Sequence, residues 1–193
     1  MREVTVSARL PEGDPAAVFE TLVEFERYPE LVETVRSVTV NRTTPTEISS
    51  QWSVFFRKGI LHWEERDQLD RDKLTVTFEQ TDGDFEVMHG SWRVLPTADG
   101  CDIRFHTAFD FGVTSIESII EPIAARVLKE NVELALARLL GPRMELQPDG
   151  EAVPEGAARP RYAVFDSGAA PDLRELEGRA ALAAPTESET ARP

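Results

Sequence analysis

A chain of 193 residues, 41% hydrophobic and 29% charged, is long enough for one core-bearing domain, and no apolar run in it approaches the length that spans a bilayer. With 35 acidic residues against 21 basic ones, the net charge of -14 repels phosphate backbones and anionic membrane surfaces and argues against a nucleic-acid partner. The single cysteine, Cys101, allows no internal disulfide, no Cys/His spacing suits zinc, and the start MREVTVSARL lacks the apolar core of a signal peptide, so a cytoplasmic protein is expected.

In chain order, Glu3 to Leu10 alternate Val4, Val6, Ala8 and Leu10 with polar neighbours, which predicts a strand that PEGDP ends. Asp14 followed by Pro15 suits an N-cap and first helical position, and Ala17, Val18, Thr21, Leu22 and Phe25 recur at helical spacing, so a first helix is expected to about Phe25. RYPEL restarts the chain: Pro29 pushes Tyr28 toward an extended backbone, and Leu31, Val32 and Val35 fit one or two short turns beyond it. Strands are expected over 35–43, 47–57, 60–69, 73–81, 85–95 and 101–111. Their separators TTPT, RKG, DRDK, TDGD and PTADG are short and rich in turn residues, which makes an antiparallel meander. Thr114 and Glu117 form a capping box for a long amphipathic helix carrying Ile116, Ile120, Ile123, Val127, Leu134 and Ala135, stopped at Gly141 and Pro142. Pro122 predicts a kink or a distorted first turn in it. Residues 142–193 hold 7 of the 13 prolines and much Ala, Glu and Gly, and are expected to be a mostly disordered tail in which RYAVFD (an edge strand) and PDLRELEGRAALAA (a short helix) are the candidates for local order.

The fold class expected for 1–141 is α+β: a curved antiparallel sheet of about seven strands wrapped around a long C-terminal helix, with two short helices after the first strand. A sheet curved around one helix leaves a space that side chains do not fill, and such spaces are preferred ligand sites. What lines it turns on LHWEERDQLD. One face carries Leu61, Trp63, Glu65, Asp67 and Leu69, the other His62, Glu64, Arg66 and Gln68, and only the first holds large apolar residues. That face is expected inward with its two carboxylates. Continued parity places Ile48, Ser50, Trp52 and Val54, then Thr75, Thr77 and Glu79, then Met88, Gly90 and Trp92, then Ile103, Phe105, Thr107 and Phe109 on the same concave surface.

Glu65, Asp67 and Glu79 then form a cluster of carboxylates in which crowding and desolvation raise a pKa and equip Glu65 or Asp67 as general acid or base. The alternative is that they sit at the open end of the pocket, hydrated or paired with Arg36 or Arg126. Asn131 interrupts the apolar stripe of the last helix and offers an amide either to a ligand or to strand backbone. Tyr28 either presents its hydroxyl at the pocket entrance or packs beneath the short helices. Trp52, Trp63, Trp92, Met88 and Phe105 either stack on a flat ring or simply build core. His62, His89 and His106 fall on the outer face, so no metal site is expected.

Four segments in order, AVFETLVEFERYPELVETVRSVTV at 17–40, FEVMHGSWRVLP at 85–96, CDIRFHTAFDF at 101–111 and VLKENVELALARL at 127–139, give the chain its family resemblance. It resembles the bacterial polyketide cyclase and aromatase group and the neighbouring coenzyme Q-binding group, within the START and birch-pollen-allergen helix-grip superfamily. The resemblance implies a helix-grip fold over about 1–141, with Trp63 pointing into the pocket and Asn131 facing it. It also implies a small hydrophobic or aromatic ligand, polyketide or quinone, an acyl carrier protein as candidate partner, and no cofactor. The activity implied is cyclisation or dehydration of a poly-β-keto or aromatic intermediate; the alternative is a non-catalytic quinone or lipid carrier. Two departures limit the transfer: where aromatases of this group carry an arginine and a tyrosine, this chain has Asp67 and Val35. The superfamily's ribosome-associated members suggest RNA docking, which 25 acidic against 15 basic residues in 1–141 disfavour.

Overall fold

The computed structural model describes residues 1–113 and 117–148. Strand β1 (Arg2–Pro11) is followed by helix α1 (Pro15–Leu22), a 3-10 turn (Phe25–Arg27) and helix α2 (Tyr28–Leu31). Then come β2 (Val35–Thr44), β3 (Glu47–Phe56), β4 (Gly59–Asp70), β5 (Thr75–Gly83), β6 (Val87–Thr97), β7 (Gly100–Asp110), helix α3 (Glu117–Leu140) and a short β8 (Glu145–Gln147). The strands form one antiparallel sheet in the order β2-β3-β4-β5-β6-β7-β1-β8, a six-strand meander whose last member pairs with the first strand of the chain. This is the helix-grip architecture. Strand β8, absent from the elements read in the sequence, borrows the free edge of β1 through Ser7, Ala8 and Arg9. RYAVFD, PDLRELEGRAALAA and Thr114 of the capping box lie outside the described residues.

Asp14 caps α1 through a bond from the Ala17 N–H at 3.1 Å, and the helix buries Val18, Phe19 and Leu22. Tyr28 is helical, at φ -59° and ψ -37°, rather than extended. Pro29 falls in the first turn of α2, where its missing N–H costs nothing, and burial of Tyr28 outweighs the proline's preference for an extended predecessor. Helix α3 runs unbroken through Pro122. Its buried face carries Ile120, Ala124, Ala125, Val132, Ala135 and Leu136, the small residues allowing close approach, while Leu134, expected inside, is exposed.

Inward residues of β1, β3, β4, β6 and β7 follow the expected parity, but β5 does not. Val76 and Phe78 are buried, whereas Thr77 and Glu79 are exposed. The β4–β5 connection is four residues long, so Leu69 pairs with Val76 and Asp67 with Phe78. One residue of turn length flips every side chain of the following strand, and burying Val and Phe in place of Thr and Glu decides which way. Further along, a bulge beside Glu64 and Glu65 lets Gly83 sit opposite Trp63 at φ +138°, where an added Cβ would lie 2.5 Å from the Trp63 Cα. Gly90 serves close approach of another kind: the Phe78 ring occupies the space above it, 2.5 Å from where a Cβ would stand.

Candidate functional site

Strands β3 and β4 pair with Trp52 opposite Trp63, Ser50 opposite Glu65 and Ile48 opposite Asp67, so strict alternation gathers three polar residues on the concave side. The two indoles stack with centroids 5.7 Å apart and planes 1° from parallel. Trp63 Nε1 donates to Glu65 Oε2 at 2.9 Å, and Trp52 Nε1 donates to Ser50 Oγ at 2.9 Å. The Ser50 hydroxyl in turn reaches Glu65 Oε1 at 3.3 Å and Asp67 Oδ2 at 3.2 Å. It has one proton, so it serves one carboxyl at a time. All three are dry: Ser50 is 0%, Glu65 6% and Asp67 1% exposed.

Burial raises the Glu65 carboxyl above the ordinary range, and the bonds from Trp63 and Ser50, with the Trp52 indole N–H close by, recover part of the rise. Asp67 is raised by burial first and then by the charge of Glu65, against a lowering from Ser50. Two neighbouring carboxyls in a dry site do not both ionise cheaply, so the pair holds a proton at pH values where a solvated carboxyl has lost its own. Tyr28 borders them. Its hydroxyl donates to the Leu22 carbonyl at 3.0 Å, its ring meets Trp52 edge-on at 5.6 Å, and burial followed by Glu65 and Asp67 lifts its phenol well above the usual value. It is a packed, protonated tyrosine beneath the short helices.

The remaining residues singled out in the sequence divide. Glu79, expected in the cluster, lies on the outer face in an ion pair with Arg66, for the turn-length reason above. Arg36 is exposed and Arg126 pairs with Glu130 at 3.8 Å, and the hydrogen-bonding partners of Glu65 and Asp67 are Trp63 and Ser50 rather than the arginines of the alternative reading. Met88 faces the concave side opposite Phe109, and Trp92 and Phe105 meet at 4.6 Å in a second aromatic group with Phe78. Trp92 thus joins a different cluster from the Trp52–Trp63 stack. Asn131 on α3 accepts from the Thr34 hydroxyl at 2.7 Å, a side chain rather than strand backbone. Three contributors carry weight that the sequence reading did not assign them: Ser50 as the bridge, Phe85 edge-on to Trp63 at 5.9 Å, and Gln80 opposite Glu65. Ser50 was legible as the lone small hydroxyl between inward Ile48 and Trp52; Gln80 was hidden by the parity of β5.

A cleft of about 390 Å³ opens at the rim between Arg42–Pro45 and Arg71, floored by Ile48 and Leu69. The carboxyl pair does not line it; Ile48 on its floor is the cross-strand partner of Asp67, and Leu69 is the next residue after Asp67 on the same face. Arg42 and Arg71 flank it, tied to Glu26 and Glu20 of the helical segment. Among the described residues no group of three or more His, Cys, Asp or Glu is placed to hold a metal ion, and no helix is long and apolar enough to cross a membrane.

No curated protein matches the sequence. Among solved structures, the protein TTHA0849 from Thermus thermophilus superposes with a TM-score of 0.65 at 22% identity, over 72% of this chain and 94% of that one. The Zhui aromatase/cyclase from Streptomyces sp. R1128 gives 0.61 at 15% identity, over 72% and 92%, and Ara h 8.0201 gives 0.54 at 12%, over 72% and 96%. These likenesses establish the shared fold. The family model described as polyketide cyclase / dehydrase and lipid transport matches residues 12–134, well over half of the sequence, and the chain belongs to that family.

Proposed function

We propose that the protein is a cofactor-independent cyclase or dehydratase acting on a poly-β-keto or partly cyclised aromatic intermediate. The observation that carries this reading is the dry Glu65–Asp67 pair bridged by the Ser50 hydroxyl beneath two stacked indoles. In dehydration of a β-hydroxy ketone, the ionised member takes the α-proton while the protonated member gives its proton to the departing hydroxyl. A carbon–carbon double bond and one water form, and the pair keeps one proton throughout. Ser50, in contact with both carboxyls, can return that proton to its starting oxygen. Substrate enters by the rim cleft and rests against Trp52 and Trp63. Holding it in a reactive geometry supplies a further part of the rate.

The test is turnover of a poly-β-ketothioester by Glu65→Gln and Asp67→Asn, with circular dichroism as the check on fold. A loss of about 10²–10⁴-fold in each is expected, with the spontaneous shunt product replacing the ring product in mass spectrometry. Full activity in both variants ends the acid-base reading.

A second reading, a non-catalytic carrier for a quinone or lipid, is favoured by one observation: both indole N–H groups are spent inside the cluster, on Glu65 and Ser50. Protein purified from its own producing strain and extracted with solvent would then yield an unmodified quinone or lipid.

A further inference from the structure

We infer that Gln80 and Asp67 form a hydroxyl-binding subsite, so that the ligand is a phenol or an enolised diketone that enters as a hydrogen-bond donor. This deepens the ring-binding reading above and rests on it. The Nε2 of Gln80 donates to the Phe85 carbonyl at 2.5 Å. A carbonyl only accepts, so the amide cannot be turned over, and the other end of the side chain must present oxygen. That oxygen, Oε1, is shielded from solvent and has no partner, and Asp67 Oδ1 is in the same condition. Gln80 stands directly opposite Glu65 across β4 and β5, and Asp67 is the next residue on that face.

The donor count makes the deficit plain. Five oxygens of Glu65, Asp67 and Gln80 meet one hydroxyl proton from Ser50, one indole N–H from Trp63 and the proton the pair retains. Trp52 spends its N–H on Ser50. Dry, unmatched acceptors are costly, and a ligand bringing O–H groups removes that cost where an ether or a bare ring leaves it in place. The subsite therefore selects for hydroxyl donors over O-alkylated analogues of the same ring.

The probes are 1,3-dihydroxynaphthalene and 1,3-dimethoxynaphthalene, with affinity read from quenching of tryptophan fluorescence. Wild type is expected to bind the dihydroxy compound at least about tenfold more tightly, the size of one satisfied buried acceptor. Gln80→Met is expected to reduce that ratio severalfold while still binding the dimethoxy compound. Because the wild-type ratio needs no variant, a misfolded Gln80→Met does not rescue the idea. Equal wild-type affinities overturn the subsite while leaving ring binding intact, and so does an unchanged ratio in a folded Gln80→Met. Binding of neither naphthalene overturns the ring-binding reading and this inference with it.

Discussion

The β5–β7 half and the β3–β4 half of the concave face are equally dry and chemically opposite. In the first, Val76, Phe78, Val94, Ile103 and Phe105 are buried, and Thr107 among them donates its hydroxyl to the His89 carbonyl at 2.9 Å. Each such apolar side chain contributes roughly 1.5–3 kcal/mol by leaving water. In the second, Ser50, Glu65 and Asp67 are as well buried but cost free energy to put there, and two nearby oxygens, on Asp67 and Gln80, have no partner at all. Burial alone therefore does not say what a residue is for. Its sign does: one half holds the sheet together, and the other is held by it.

The contrast breaks most visibly at Phe105. Phe105→Ala removes the ring between Trp92 and Phe78 and is expected to destabilise by about 3–5 kcal/mol in urea denaturation; a loss below about 1 kcal/mol would mean this half is not the structural one. The next effect has the opposite sign. At pH 8, Asp67→Asn is expected to stabilise the fold by about 1–3 kcal/mol, because it removes a buried charge that has no cation beside it. The pH dependence of the wild type sharpens the point. Glu65 is raised to about 7 and Asp67 to about 8 in the folded state, from ordinary values near 4. The folded protein thus binds more protons than the unfolded chain across that window. Stability is full below the ordinary carboxylate range and is lost as pH rises through the raised values. Urea midpoints at pH 5 and pH 8 should show the fall, and Asp67→Asn should flatten it; a flat wild-type profile would place these carboxyls in water. The smallest effect belongs to the carboxylate on the other side of the sheet. Glu79→Gln breaks an exposed pair with Arg66 and is expected to cost about 0–1 kcal/mol with turnover unchanged.

Much of this is legible in the sequence because it depends on local pattern. Alternation and turn residues locate every strand of the meander to within about two positions, and the absence of any large apolar residue among His62, Glu64, Arg66 and Gln68 turns Glu65 and Asp67 inward on the strand's own evidence. The family likeness rests on the same local segments. What the sequence left open were quantities set by contact between distant parts. The β4–β5 connection decided whether Glu79 or Phe78 joined the pocket, since a single residue of register reverses a strand. The Phe85 carbonyl decided which way Gln80 points, and the pairing of β3 with β4 put Ser50 between two carboxyls. Periodicity specifies which face a residue occupies along its own strand; only the sheet's pairing specifies what stands opposite, and there the chemistry is made.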